Sequence, residues 1–510
     1  MDKAVIAAGR FDLVIFDLDG VVTKTAAVHA AAWKALFDAF LRRKFGAEAP
    51  PFDIDTDYRA YVDGKPRYDG VRDFLASRNI TLPEGSPDDS PAEETVYGLG
   101  NTKDALFLER IGKDGVAVYP HAVDLIHRLK SVGILTALVT SSRNGKAVLD
   151  AAGLGDLFDQ RVDGVVRAEL GLRGKPAPDT FLEAARRLNI TPARAAVFED
   201  ALSGVEAGRA GGFGLVVGVD RAGQSQALLE HGADVAVADL ANIEVRDLGS
   251  ALNDFSPVAR TLKAGPIGIF LDYDGTLTAI VDHPEDARLT PAMRDVLRRL
   301  GGYYPVAIVT GRDLTTIKDL VGLDGLIYAA EHGFDIALAD GRRIAHDEAA
   351  AARPAIEDVA RKLRTELKGI DGLLMERKRF SLAVHYRLVA PTHVDRVCQA
   401  VRDAVSRHPE LHILSGKKVE EIQPRIDWDK GKAVAWLRRR ILPASAPALY
   451  LGDDTTDEDV FRTLVDGDIG VLVRDRPRPT AAHYVLNGVG EVGPFLERLI
   501  DRADRTDHDR

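Results

Sequence analysis

The chain has 510 residues, of which 45% are apolar and 28% charged, and its net charge is −11. At about 150 residues per domain this length implies three or four compact lobes, and the acidic balance argues against non-specific attraction to nucleic acid or acidic lipid. The single cysteine, Cys398, excludes an intramolecular disulfide and a thiolate metal cluster.

The opening "MDKAVIAAGRFDLVIFDLDG" lacks the basic region, apolar core and small-residue cleavage site of a leader. No run approaches the roughly 20 apolar residues of a membrane span. A cytoplasmic protein without membrane or nucleic-acid partners is therefore expected.

In chain order, "FDLVIFDLDG", "GILTALVTSS", "AAVFEDA" and "GLVVGVD" read as buried strands ending in polar or glycine-bearing loops. Helical patterns at 121–132 and 178–189 lie between them, and such alternation predicts a parallel α/β sheet. Residues 25–110 form an insert of helical character, with Trp33, Leu36, Phe37, Phe40 and Leu41 at three- and four-residue spacing. The loop "TLPEGSPDDSPAEET" interrupts it. Residues 241–265 carry no strong strand pattern and are expected to be a linker between domains at 1–240 and 266–500.

The second half repeats the alternation with "IGIFLDYDG", "PVAIVTGRD", "DGLIYAAEHG" and "ALYLGDDTTDED". Its insert, about 335–425, is mixed. In "SLAVHYRL", Leu382, Val384 and Tyr386 alternate with Ser381, Ala383, His385 and Arg387, which predicts a half-exposed strand. The tail 501–510 is expected to be frayed.

Two acid pairs stand 255 residues apart, Asp17 with Asp19 and Asp272 with Asp274. Residues i and i+2 at a strand end point the same way, toward the carboxyl edge where parallel sheets bind ligands. Two close carboxylates repel each other unless a hard cation relieves them. One Asp-x-Asp-Gly match reads equally well as a solvated turn. After the first pair, however, come Thr140, Lys175, and Glu199 with Asp200; after the second come Thr310, Lys430, and Asp453, Asp454 and Asp457. Acid pair, hydroxyl, lysine, acid pair, in that order and twice, is improbable as accident.

Both halves resemble the haloacid dehalogenase superfamily of phosphotransferases. The resemblance implies two tandem Rossmann-like α/β cores with parallel sheets, one with a mainly helical cap and one with an α+β cap. It implies Mg²⁺ and an aspartyl-phosphate intermediate. "DYDGTLTAIVDHPEDARLTP", "VTGRD", "EHGFDI", "ERKRFSLAVHYR", "GKKVEEIQP", "DKGKA" and "LGDDTTDEDVF" resemble trehalose-6-phosphate phosphatases. By that resemblance Asp272 is the nucleophile and Asp274 the general acid/base. Thr310 and Lys430 neutralise phosphoryl oxygens, and Asp453 binds Mg²⁺ beside Asp272 and the Asp274 carbonyl, with Asp454 and Asp457 nearby. Arg312, His332, Lys378, His385, Arg387, Lys417 and Glu421 would contact the sugar.

"FDLDGVVTKTAAVHAAAWKALFD", "YVDGKPRYDG", "TSSRN", "GKPAPDTF" and "FEDALSGVEA" resemble the β-phosphoglucomutase branch. By that resemblance Asp17 carries the phosphoryl group and Asp19 is the acid/base. Thr140 and Lys175 support transfer, and Asp17, the Asp19 carbonyl, Asp200 and Glu199 surround Mg²⁺. Ser142, Arg143 and Asn144, with Arg67, would bind a second phosphate, and His29 would position the proton-transfer region. Lys24 stands where the branch usually has an acid, and Lys103 in "LGNTKDALF" is slightly displaced. The N-terminal half is thus expected to be a mutase or a simple sugar phosphatase. The alternative is a non-catalytic sugar-phosphate sensing or oligomerisation module. The C-terminal half could also take another disaccharide phosphate. The expected partners are small sugar phosphates; oligomeric state is not encoded in any motif.

Overall fold

The computed structural model describes residues 4–262, 266–281, 283–416 and 418–508. The chain divides into two compact units, Met1–Leu248 with Pro477–Pro479, and Gly249–Arg476 with Thr480–Arg510.

The first unit is built on six parallel strands: β1 (Leu13–Phe16), β2 (Leu135–Val139), β3 (Gln160–Val162), β4 (Ala195–Glu199), β5 (Leu215–Val219) and β6 (Val235–Val237), in the order β3-β2-β1-β4-β5-β6. Strand residues alternate between two buried faces. Val14, Phe16, Leu138 and Phe198 join one cluster, while Leu13, Ile15, Ala137 and Val197 join the other. Apolar residues at every position are what a strand covered on both sides requires.

The insert is helical, with α1 (Ala26–Phe45), α2 (Arg67–Ser77) and α3 (Val96–Asp114). The five spaced apolar residues of α1 are all buried, packing with Phe52 and Phe74. Thr95 caps α3 by accepting from the Gly98 N–H.

In the second unit the core strands are β7 (Gly268–Leu271), β8 (Val306–Val309), β9 (Ile327–Ala330), β10 (Asp335–Ala337) and β11 (Arg343–Ala345). The cap strands are β12 (Leu374–Arg377), β13 (Leu382–His385), β14 (Leu411–Gly416) and β15 (Val419–Pro424). The core resumes with β16 (Ala448–Gly452), β17 (Ile469–Val473) and β18 (Tyr484–Leu486). The core order is β11-β10-β9-β8-β7-β16-β17-β18, closed by Gly249–Ser250. It is parallel except for the β9-β10-β11 edge, which is antiparallel.

Several expectations change here. Residues 335–345 belong to the core sheet edge, so the accessory lobe begins near His346 rather than at 335. In β13 the alternation fails: Ser381 and Ala383 are as buried as Leu382 and Val384, because β13 is an inner strand of the sheet β12-β13-β15-β14 and its second face is covered too. Within the 241–265 stretch Glu244–Arg246 forms a short strand pairing with Val5–Ala7, Phe255–Thr261 is helical, and residues 263–265 lie outside the described residues. Of the expected frayed tail, residues 501–508 are the end of a helix running from Val492 to His508, with Leu499, Ile500 and Ala503 in the core, and residues 509–510 lie outside the described residues. Among the described residues no helix is long and apolar enough to cross a membrane.

Candidate active sites

The strands β1 and β7 each end in the Asp-x-Asp-Gly turn. Gly20 and Gly275 lie at φ of 86° and 85°, and a Cβ there would come within 1.7 Å of Asp200 Oδ2 and 2.1 Å of Asp453 Oδ2. The glycines therefore serve both the turn and the close approach of a carboxylate.

In the first unit Lys175 Nζ donates to Asp17 Oδ1 and to Glu199 Oε2, each at 2.6 Å, and all three side chains are nearly fully buried. In the second, Lys430 Nζ donates to Asp272 Oδ1 and Asp457 Oδ1, each at 2.5 Å. Glu199 and Asp457 thus play the same part, though one is the first acid of its motif and the other the last.

Asp17, Glu199 and Asp200 place carboxylate oxygens within 4.8 Å of one another, as do Asp272, Asp453 and Asp457. Burial, then the Glu199 charge, pushes Asp17 and Asp200 well above the usual carboxylate range. Burial does the same to Asp272 against the pull of Lys430, and burial with Asp457 pushes Asp453 up to about 7. Oxygen donors that repel one another in a dry setting suit a hard divalent cation, so both donor sets fit Mg²⁺.

The second acid of each pair is held differently. Asp19 accepts a short bond from Thr25 Oγ1, lies 3.3 Å from His29 Nε2 and 3.5 Å from Thr140 Oγ1. Burial works to raise Asp19, but the His29 charge and hydrogen bonds from His29 and Thr25 outweigh it and hold it at about 2. Asp274 is forked by Arg312, whose Nε and Nη2 donate at 2.7 and 2.6 Å. Neither Asp19 nor Asp274 brings its carboxylate into the three-acid groups. Asp454 also stands apart: it accepts from the backbone of Thr456 and Asp457 and so shapes the turn that leads into the short helix Asp457–Phe461. Asp457 itself takes the N–H groups of Asp453 and Asp454 and the Tyr450 hydroxyl, so it orders the loop as well as Lys430.

A cavity of about 70 Å³ in the first unit is lined by Asp17, Asp19, Glu199 and Asp200 from the core and by Trp33, Tyr58, Asp63, Arg67 and Lys103 from the cap. Lys103 reaches it after all, with Nζ 2.5 Å from His29 Nδ1 and close over the Trp33 and Phe107 rings. Burial, then the Arg67 charge, brings this lysine down to about 7. Ser142 and Arg143 line the cavity beside Thr140, and Asn144 bonds Asp104. Lys24 is exposed, over the Tyr119 ring.

In the second unit Lys378 Nζ donates to Glu421 Oε1 and to the Gly311 carbonyl, both at 2.8 Å, and His332 Nε2 lies 3.7 Å from Glu421. These cap and core residues come together. His385 does not join them, pairing with Glu376 at 3.1 Å, and Arg387 is exposed beyond β13. Lys417 lies outside the described residues. Thr310 Oγ1 accepts from the Arg312 N–H.

The motifs missed Thr25, Asp63, Asp104, Glu331 and Tyr450. Glu331 is the most consequential. It is 1% exposed at φ 49°, followed by His332 at 55°, and its carboxylate accepts the N–H groups of Arg379 and Phe380 from the cap hairpin. Two consecutive non-glycine residues at positive φ store strain that such contacts must hold. The signal available was only its place in "EHG".

The trehalose-phosphatase family model matches residues 270–489, and a haloacid dehalogenase-like hydrolase model matches residues 11–212. A trehalose-phosphate phosphatase of Mycobacterium leprae is 38% identical over 75% of this chain and 93% of its own length. A β-phosphoglucomutase of Mycobacterium bovis is 52% identical over 45% of this chain and 90% of its own. An uncharacterized glycosyl hydrolase of Mycobacterium tuberculosis is 40% identical over 98% of this chain, which spans only 38% of that protein's length.

Proposed function

The chain belongs to the haloacid dehalogenase-like hydrolases, a trehalose-phosphatase half following a β-phosphoglucomutase-like half, and on that premise we propose that it is a bifunctional sugar-phosphate enzyme. Its C-terminal half releases phosphate from trehalose 6-phosphate. Its N-terminal half transfers the phosphoryl group of a small hexose phosphate. A cytoplasmic setting, where phosphorylated sugars are made and consumed, belongs to the same reading.

The observation that carries it is the pair of buried acid–lysine–acid bridges, Asp272–Lys430–Asp457 and Asp17–Lys175–Glu199, each beside a second acid two residues from the first. In the C-terminal site an Asp272 oxygen bonds to phosphorus as the bond from phosphorus to the sugar oxygen breaks. Asp274, once it leaves the Arg312 fork and takes a proton from solvent, gives that proton to the leaving oxygen. It then takes a proton from the water that attacks phosphorus and frees Asp272. Lys430 keeps Asp272 in line, and Thr310 presents its hydroxyl at the end of β8. Mg²⁺ held by Asp272 and Asp453 would neutralise charge on the phosphoryl group. Lys378, Glu421 and His332 form the sugar-facing set, closing with the cap.

In the N-terminal site Asp17 carries the phosphoryl group, and Asp19, held ionised, first takes the proton of the hydroxyl that attacks phosphorus and can then return it to a leaving oxygen. The intact set of Asp17, Asp19, Thr140, Lys175, Glu199 and Asp200 favours catalysis over a sensing module, and Arg67 with Ser142, Arg143 and Asn144 is read as the site of the second phosphate.

The test is phosphate release from trehalose 6-phosphate with Mg²⁺ in the unmodified protein, Asp272→Asn and Asp17→Asn. Asp272→Asn should cost roughly a thousandfold or more, with Asp17→Asn unchanged. An undiminished rate in Asp272→Asn overturns the assignment.

A further inference from the structure

Asp104 sits midway along α3, and phosphoryl transfer makes no use of it. Its Oδ1 accepts from Arg67 Nη2 at 2.5 Å and from Asn144 Nδ2 at 2.5 Å. Arg67 opens α2 in the cap, whereas Asn144 precedes the core helix Gly145–Ala151. One carboxylate oxygen therefore gathers a cap cation and a core amide, the two donor types that a phosphate oxygen would seek. The side chains of Arg67 and Asp104 are 12% and 23% exposed, so this pair is worth more than a bridge in open solvent.

We propose that Asp104 is a resident anion in the distal phosphate subsite of the first unit, which an incoming phosphate must displace. The inference rests on reading Arg67 and Asn144 as that subsite. A guanidinium fork beside an amide N–H₂ binds carboxylate and phosphate oxygens by the same geometry. With Asp104 in place Arg67 Nη2 and Asn144 Nδ2 each have an acceptor, and the cap is tied to the core without substrate. A neutral sugar hydroxyl cannot compete with a carboxylate for Arg67; a phosphate dianion can. Asp104 thus sets a threshold at the distal end of the sugar: only a substrate charged there opens the Asp104–Arg67 link, and it binds against the repulsion of the displaced carboxylate.

A permanent bracket that merely aims Arg67 would give the opposite result on removal, which makes the proposal testable. Binding of glucose 1,6-bisphosphate is titrated calorimetrically into the full chain carrying Asp17→Asn and Asp272→Asn to stop turnover. Adding Asp104→Asn should tighten binding roughly tenfold, because the competing charge is gone while the shape is kept. Asp104→Ser is carried in parallel, so a poorly folding amide variant leaves a second reading. Arg67→Ala should weaken the same binding. Unchanged or weaker binding in the Asp104 variants, with Arg67→Ala also weak, overturns the resident-anion role alone. No effect of Arg67→Ala overturns the subsite reading and this proposal with it.

Discussion

At the scale of single residues, the buried lysines organise both sites. Removing one partner of a buried ion pair leaves an uncompensated charge, at a cost of roughly 3–5 kcal/mol. Lys430→Met should therefore lose about that much stability in urea melts without Mg²⁺, as well as activity, because Asp272 and Asp457 lose their shared cation; a loss below about 1 kcal/mol contradicts the bridge. Asp63 gives a pH signature. Burial, then the Glu199 charge, raises it to about 6, although Tyr58 donates a hydrogen bond to it. Its folded pKa thus exceeds the unfolded value of about 3.9, so the folded state binds more protons between roughly pH 4 and 6 and stability falls as pH rises through that window. Asp63→Asn should raise the melting temperature at pH 7 in chelator but not at pH 4; equal shifts at both would contradict the assignment. The four motifs were legible because each of their residue types is chemically constrained. Thr25, Asp63 and Asp104 were not, because an ordinary threonine or aspartate becomes functional only through the neighbour that folding supplies.

At the scale of elements, the contact between cap hairpin and core runs through Glu331. Its carboxylate satisfies two backbone N–H groups that the hairpin would otherwise bury unpaired. Glu331→Ala should raise KM for trehalose 6-phosphate roughly tenfold with a smaller change in kcat, since cap closure rather than the reacting carboxylates is weakened. An equal fall in kcat with KM unchanged would place Glu331 in the chemistry instead. The C-terminal helix shows why the tail was misjudged. Its last dozen residues are rich in Asp and Arg, which reads as solvated, yet Leu499, Ile500 and Ala503 are buried at one face. Ile500→Ala should cost about 2–5 kcal/mol in urea unfolding of the second unit; a loss below about 1 kcal/mol would contradict its place in the core. The β13 misreading has the same root. Alternation reports a strand with one wet face, and a strand inside a sheet covered on both faces gives no such contrast.

At the scale of the whole molecule, the same acid–lysine–acid arrangement occurs twice on two sheets of different size, with caps of different class. Two three-acid groups predict that Mg²⁺ raises stability by mass action in both units, by about 2.7 kcal/mol at a hundredfold excess over Kd. Melting curves that ignore Mg²⁺ and chelator would exclude the cation. The sequence by itself determined the tandem α/β plan and the order acid pair, hydroxyl, lysine, acid pair, with Asp17 and Asp272 each at the end of a core strand. Those features are local: a buried strand is a run of apolar residues, and an Asp-x-Asp-Gly turn needs only neighbours in the chain. Only the tertiary structure decided that Glu199 and Asp457 share one role, that Arg312 holds Asp274, that Glu331 fastens the hairpin and that Asp104 fills the Arg67–Asn144 niche. Those facts join residues from 24 to 49 positions apart. Coulomb and hydrogen-bond energies depend on distance in space, which no spacing along the chain records.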